Sequence, residues 1–365
     1  MKNIKISVLL STNRINKKVN PYIKKVKKGC KKLRNEKIFT DEFNSLIKDS
    51  VCNVNHFLEI SLNSLQNQTF RNFELIISHK YPEDALDVVK KYNDINLKLV
   101  REKHSIWHDL GEQYHTVANN KNSAFIHSQG ELIFHIDDLT LFNNHVLQEA
   151  WDEYKKNNYI TSRTFRCITY DKKCSSNELT KKRIGNMKFE WKHDGWIGQH
   201  KPLCYTDNPE ENMKQNSSIY KSMLWTCGAS ISRNELIKLN GYEELLDGNL
   251  CGIDMDAGDK LAEMSKYNRV ASRNYIYEID DPTPKNMIRN DNILRRICHQ
   301  IGNPKHIKAN SWKPTEAQIR KYYIWHIKNH GVCPDKNWNK FMNVPLFNIS
   351  NLIKDKEKYS EVTYQ

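Results

Sequence analysis

The stretch that decides the fold is NKNSAFIHSQGELIFHIDDLTLF, Asn120–Phe142. At its centre, Leu132–Ile136 (LIFHI) is a short run that is apolar except for His135. A Gly-Glu turn precedes it and Asp137-Asp138 ends it abruptly. Length and bounding turns mark a buried strand rather than a helix. Upstream, Tyr114–Ser128 has enough helical character to cross over a sheet, and downstream Asn144–Lys156 reads as another helix.

The same alternation continues outward. Ile4–Leu10 is an apolar, β-branched strand that ends in the polar turn Ser11-Thr12-Asn13-Arg14. In His56–Gln68 the leucines 58, 62 and 65 fall on one helical face. Phe73–Ile77 and Leu97–Val100 read as further strands. Strands alternating with helices predict an α/β fold, a mostly parallel central sheet with helices on both faces. In such sheets ligands sit beyond the carboxyl ends of the strands, which singles out Thr12–Arg14, Ser78–Lys80 and Asp137–Asp138. The second half is less regular. Tyr159–Tyr170 and Ser222–Ile231 read as strands, 171–220 as loop-rich with Trp191 and Trp196, and 254–266 as a helix with acids at its start. Ser232 and Glu235 have the spacing of a capping box, and Asn240-Gly241 stops the helix they open. A strand is expected at Asn274–Ile279, Pro282 and Pro284 mark a boundary, and Glu316–Asn329 is helical beyond it.

The 365 residues carry 57 Lys and Arg against 43 Asp and Glu, a net charge of +14. That charge is concentrated. Residues 15–37 hold ten basic side chains and one acidic, residues 282–340 twelve and three, and residues 38–281 are net acidic with 29 and 36. Two basic attachments on an acidic body fit either a polyanionic or membrane-surface partner or a merely solvated lysine-rich face. No apolar run is long enough to span a bilayer, and the five-residue apolar stretch at the N-terminus is too short for a signal peptide. Nine cysteines without a C-x-x-C pair form neither a disulfide framework nor a zinc ribbon, so a cytoplasmic location is expected.

Two adjacent carboxylates after a buried strand serve either as a turn or helix cap or as ligands of a hard divalent ion whose shell a substrate phosphate completes. Asp254 and Asp256 likewise either complement a helix N-terminus or act as a general base. The histidines form no H-E-x-x-H pattern, and there is no Gly-rich phosphate loop.

Four stretches in order resemble the family-2 glycosyltransferases. They are ISVLLSTNR (Ile6–Arg14), HFLEISLNSLQNQTFRNFELII (His56–Ile77), NKNSAFIHSQGELIFHIDDLTLF (Asn120–Phe142), and GASISRNELIKLNGYEE with GIDMD (Gly228–Asp256). The resemblance covers most of residues 4–266. It implies a GT-A, Rossmann-like catalytic domain over 1–281, with 15–52 a basic insertion. Residues 282–365 are left as a basic, mainly helical C-terminal extension. It further implies an inverting, metal-dependent transfer of a hexosyl or related sugar from a nucleotide-diphosphate donor to an acceptor hydroxyl on a glycan or surface polymer. By the same resemblance Asp138 would ligate Mn²⁺ or Mg²⁺, and Asp137 would bind the ribose or share the metal. Thr12, Asn13 and Arg14 would line the nucleotide pocket, and Lys121 would lie near the nucleobase or diphosphate. Asp254 would be the base, with Asp256 nearby. The chain departs from the family after the second strand, where Ser78-His79-Lys80 lacks the usual acid, and before the base, where Ile253 replaces the usual Glu. The basic segments keep other readings open: a glycosyltransferase acting on modified DNA, a non-enzymatic nucleic-acid-binding protein, or an enzyme resting on an anionic membrane.

Overall fold

Ile6, Val8 and Leu10 of β1 (Ile6–Thr12) pack into one hydrophobic cluster while Leu9 packs into another. A strand buried on both faces is what parallel sheets require. The computed structural model describes residues 4–12, 23–24, 26–27, 41–105, 108, 116–157, 160–169, 181–184, 187–192, 228–242, 244, 247, 257, 269–279 and 348–365. The elements follow in order: α1 (Asp41–Ser50), α2 (Phe57–Gln66), β2 (Phe73–His79), α3 (Glu83–Val89), β3 (Leu97–Arg101), α4 (Val117–Ile126), β4 (Leu132–Ile136), β5 (Thr140–Phe142) and α5 (Val146–Lys155). The second half contributes β6 (Ile160–Thr169), β7 (Lys181–Ile184), β8 (Met187–Lys192), β9 (Ser230–Ser232), α6 (Arg233–Lys238), β10 (Arg269–Ile279), α7 (Ile349–Lys354), α8 (Lys356–Tyr359) and β11 (Val362–Tyr364).

The strands form one sheet in the order β11-β3-β2-β1-β4-β9-β6-β10-β5, with β8 on β6 and β7 on β8. The expected parallel core is present as β3-β2-β1-β4. Antiparallel pairings flank it, through β11 at one side and β9 at the other, while β6 and β10 form a further parallel pair. Helices cover both faces as expected. Leu58, Leu62 and Leu65 of α2 lie with α3 and α5 on one face, and α4, α6 and α7 supply the other. Each fully buried leucine contributes about 1.5–3 kcal/mol, so the three-leucine stripe of α2 is a main hold on that face.

The structure departs from the sequence reading in several places. Within the segment expected to be loop-rich, β7 and β8 form a hairpin that extends the sheet from β6. β5 was not anticipated, because three residues are too few to show a period; it exists through its pairing with β10. The expected capping box at Ser232 is half formed. Ser232 Oγ accepts the Glu235 N–H at 3.2 Å, but the Glu235 carboxylate takes Lys238 at 2.7 Å instead. A capping box occurs instead at α2, where His56 Nδ1 accepts the Leu58 N–H and Glu59 accepts the His56 N–H. Of the assigned C-terminal extension, the described residues 348–365 are stitched into the body: Ile349 and Leu352 join the core beside α4, and β11 pairs with β3. The expected helices 254–266 and Glu316–Asn329 lie outside the described residues, apart from the helical Ala257. Among the described residues no helix is long and apolar enough to cross a membrane.

At the amino end of the core strands Glu74 is fully buried. It accepts the Ser7 hydroxyl and the Gln129 N–H, each at 2.6 Å, and pairs with Lys98 at 3.1 Å. The Gly-Glu turn read from sequence fits here because Gly130 donates its N–H to Ser7 Oγ at 2.7 Å. A Cβ on Gly130 would run into the backbone of Ile6 and Ser7. Gly130→Ala is therefore expected to cost about 1–3 kcal/mol by overpacking, read as a lowered midpoint in chemical denaturation with an unchanged slope.

Candidate functional site

The core strand order places β1 between β2 and β4, with the chain winding one way from β1 to β3 and returning to add β4 on the other side. Ligands bind at such a switch point, outside the carboxyl ends. Two of the predicted residues meet there. Thr12 ends β1 and donates its hydroxyl to Asp138 Oδ2 at 2.6 Å, with both side chains buried. Asp137 is half-buried beside it, and its N–H bonds Thr140 Oγ1 at 3.1 Å. The acidic turn is pinned from α2: Ser61 Oγ bonds the carbonyls of Asp137 and Thr140 at 2.9 and 3.0 Å and accepts the Thr140 N–H at 3.1 Å. On the opposite face, Asn120 of α4 donates to the Thr12 carbonyl at 3.4 Å.

Two histidines flank this pair: His79, inside the singled-out Ser78–Lys80 turn, and His56, which sequence reasoning did not select. His79 is in register with Thr12 and is buried; its Nδ1 accepts the Tyr81 N–H at 2.8 Å. His56 caps α2 through Nδ1, and its Nε2 is buried with no hydrogen-bond partner. An Nδ1 that accepts a backbone N–H leaves the proton of a neutral ring on Nε2, so both rings present N–H donors. Burial holds His56 below the usual histidine range, and the Asp138 charge only partly opposes this. The hydroxyls of Ser11 and Ser78, neighbours in register on β1 and β2, are also buried without partners. By strand alternation these two hydroxyls share the α4 face of the sheet with Leu9 and Ile76, while His56 stands on the α2 face.

Lys121 follows Asn120 on α4 and is buried. Its ammonium sits 5.3 Å from the ring centroid of Tyr242, whose hydroxyl is 2.8 Å from His135 Nε2. Burial, with the Lys121 charge adding to it, pushes His135 well below the usual histidine range. The neighbouring side chains of α4 enter a polar network. Asn119 Nδ2 bonds Glu102 at 2.8 Å, and Asn122 Nδ2 bonds Glu244 at 2.8 Å. Lys103 meets both Asn119 and Glu244. Asp247 accepts two backbone N–H groups of α4. Burial, with Glu244 adding its charge, pushes the Asp247 carboxyl well above the usual carboxylate range despite those bonds. Sequence reasoning did not select Asn119, Asn122, Lys103, Glu244 or Asp247. The available signal was the run Asn119–Ser123, polar on every helical face yet set between two strands.

Asn13, Arg14, Asp254 and Asp256 lie outside the described residues. So do the basic segments 15–37 and 282–340, apart from Ile23, Lys24, Val26 and Lys27. Lys27 is used internally, donating to the Val54 carbonyl at 2.9 Å. Among the described residues no group of three or more His, Cys, Asp or Glu could hold a metal ion.

No protein-family model matches the chain, and no curated protein matches it. Among solved structures it is similar to residues 1–349 of S. aureus TarS, at 14% identity over 97% of this chain and 90% of that one, with a TM-score of 0.45. The same fragment in complex with UDP-GlcNAc gives 14% identity, 97% and 91% coverage and a TM-score of 0.46. Likeness at this distance carries nothing about chemistry.

Thr12→Val is expected to lower stability by about 1–3 kcal/mol, because the buried Asp138 loses its hydroxyl donor. Thr12→Ser should recover most of this in the same denaturation measurement. The buried neutral histidines predict a pH dependence. His127 is held down to about 4 by burial, with Lys356 adding to the effect. A depressed folded-state value means the unfolded chain binds more protons. The contribution is complete above the unfolded value near 6.5 and is lost as pH falls through about 4. Melting temperature should therefore drop across that window, and His127→Gln should flatten the drop.

Proposed function

We propose that the chain is an inverting, metal-dependent glycosyltransferase that moves a sugar from a nucleotide-diphosphate donor to an acceptor hydroxyl. The observation that carries this reading is the Thr12–Asp138 pair at the switch point, with Asp137 beside it and the unpartnered His56 Nε2 within reach of the Asp138 charge. The ordered motif resemblance supports it from sequence. Asp137 and Asp138 are hard oxygen donors, which suits Mg²⁺ or Mn²⁺ held by few protein ligands with ligand phosphates filling the shell. His56 is unsuited as a ligand, since its Nδ1 lone pair is taken by Leu58 N–H and its Nε2 carries the proton. A bound divalent ion would stabilise negative charge developing on the departing diphosphate.

The chain's own residues have separate tasks. Thr12 and Ser61 fix the acidic turn, so the carboxylates are placed before any ligand arrives. His56 offers its Nε2 N–H to an oxygen or ring nitrogen of the nucleotide. Asp254 takes the proton of the acceptor hydroxyl as that oxygen bonds the anomeric carbon. The bond from that carbon to the diphosphate breaks, and its electron pair leaves with the nucleotide. One displacement inverts the anomeric centre and needs no covalent intermediate. The acceptor is a glycan or surface polymer.

The test is thermal stabilisation by a panel of nucleotide sugars, UDP-GlcNAc among them, with and without Mn²⁺. At least one should raise the melting point in a metal-dependent way; no shift under any condition would sink the proposal. Asp138→Ala should remove the metal-dependent part. Asp254→Asn should keep donor binding and reduce turnover about 10²-fold or more.

A further inference from the structure

Helix α4 begins without a local cap. Thr116 stands at its N-cap position but makes no side-chain bond to the first turn. The first turn of any helix leaves backbone N–H groups with no partner inside the helix. Here Asp247 supplies the partners, from 129 residues further along the chain. Its Oδ1 accepts the Ala118 N–H at 2.7 Å and its Oδ2 the Asn119 N–H at 2.9 Å. The carboxylate is fully buried.

Asp247 does not act alone. Asn122 and Tyr242 exchange two bonds, Tyr242 N–H to Asn122 Oδ1 at 2.9 Å and Asn122 Nδ2 to the Tyr242 carbonyl at 2.8 Å. Asn240 and Gly241, both at left-handed φ, turn the chain to bring Tyr242 there, and a Cβ on Gly241 would strike Asn122 Oδ1. Glu244 then bonds Asn122 and Lys103. Tyr242, Glu244 and Asp247 are thus each fastened to α4.

What α4 carries is the hold on the candidate site. Asn120 follows the capped Asn119 and donates to the Thr12 carbonyl, and Thr12 in turn holds Asp138. The helix is poorly able to keep this geometry by itself. It is ten residues long, shorter than an isolated helix needs, and Asn and Ser are weak helix formers.

We propose that Asp247 is a positioning residue for the candidate site: it fixes the first turn of α4 so that Asn120 holds Thr12, and Thr12 holds Asp138. Asp247 touches no ligand in this role. Helix amino ends are frequent seats for ligand phosphates. The amino end of α4 is filled by the chain's own carboxylate, so a donor diphosphate must be met by other groups. The inference rests on the nucleotide-site reading given above.

The experiment compares wild-type protein with Asp247→Asn, which keeps one acceptor oxygen, and Asp247→Ala, which keeps none. UDP with Mn²⁺ is the calorimetric probe, and amide hydrogen exchange without ligand is the second readout. In variants that still unfold cooperatively, UDP should bind about tenfold more weakly in Asp247→Asn and more weakly still in Asp247→Ala. Exchange should rise at Ala118 and Asn119 and also at Thr12 and Asp138. A rise confined to α4 with unchanged UDP affinity would make Asp247 an ordinary helix cap and overturn the proposal. If Asp247→Ala fails to fold, Asp247→Asn carries both readouts. If wild-type protein binds no UDP, the nucleotide reading fails by itself and the exchange pattern decides the coupling. Spread to Thr12 and Asp138 upholds it, and confinement to α4 ends it.

Discussion

The constraint on which the structure depends is the burial of a polar helix. α4 carries Asn119, Asn120, Lys121, Asn122 and Ser123 into the interior. An amide left unsatisfied there costs about 1–3 kcal/mol, so several such failures would consume a large part of a domain's net stability. Each side chain is instead met by a distant partner: Glu102 and Lys103 at the end of β3, Thr12 at the end of β1, Tyr242 and Glu244 after α6. Hydrophobic burial brings the layers together without direction. These bonds fix which residue faces which.

The same bonds explain why the carboxyl edge of the sheet is arranged before any ligand is present. The acidic turn is gripped from one face by Ser61 of α2 and through Thr12 from the other by α4. A buried carboxylate such as Asp138 is tolerated only with donors close by, and the Thr12 hydroxyl is one. The unpartnered His56 Nε2 stands on the α2 side of this turn, close enough for the Asp138 charge to act on it.

Legibility in the sequence followed the range of the interaction. Local period and turn chemistry revealed β1, β2, β3, β4 and the leucine face of α2, because those signals lie within a few residues of one another. Thr12, Asp137 and Asp138 were accessible because they directly follow apolar strands. Lys121 was selected by resemblance, and the structure sets it against Tyr242 and His135. Asp247, Glu244 and Lys103 left no local mark, since each acts on α4 from another part of the chain. His56 was hidden for a different reason: histidine is not among the usual capping residues, so its work at α2 does not show as a helix-start signal. β5 and β11 were missed because strands of three residues are defined by their partners rather than by their own pattern.

The pairing of β11 with β3 spans about 260 residues and closes the outer side of the parallel core. On the ribosome, β1 to β4 emerge long before β11 does. Through most of synthesis β3 therefore presents bare backbone donors and acceptors, the condition under which strands pair with the wrong chain. Charge on an open strand opposes that mispairing, and β3 carries Lys98 and Arg101. In the folded chain both charges are used again, Lys98 by the buried Glu74 and Arg101 by Glu83 and by Glu361 beside β11.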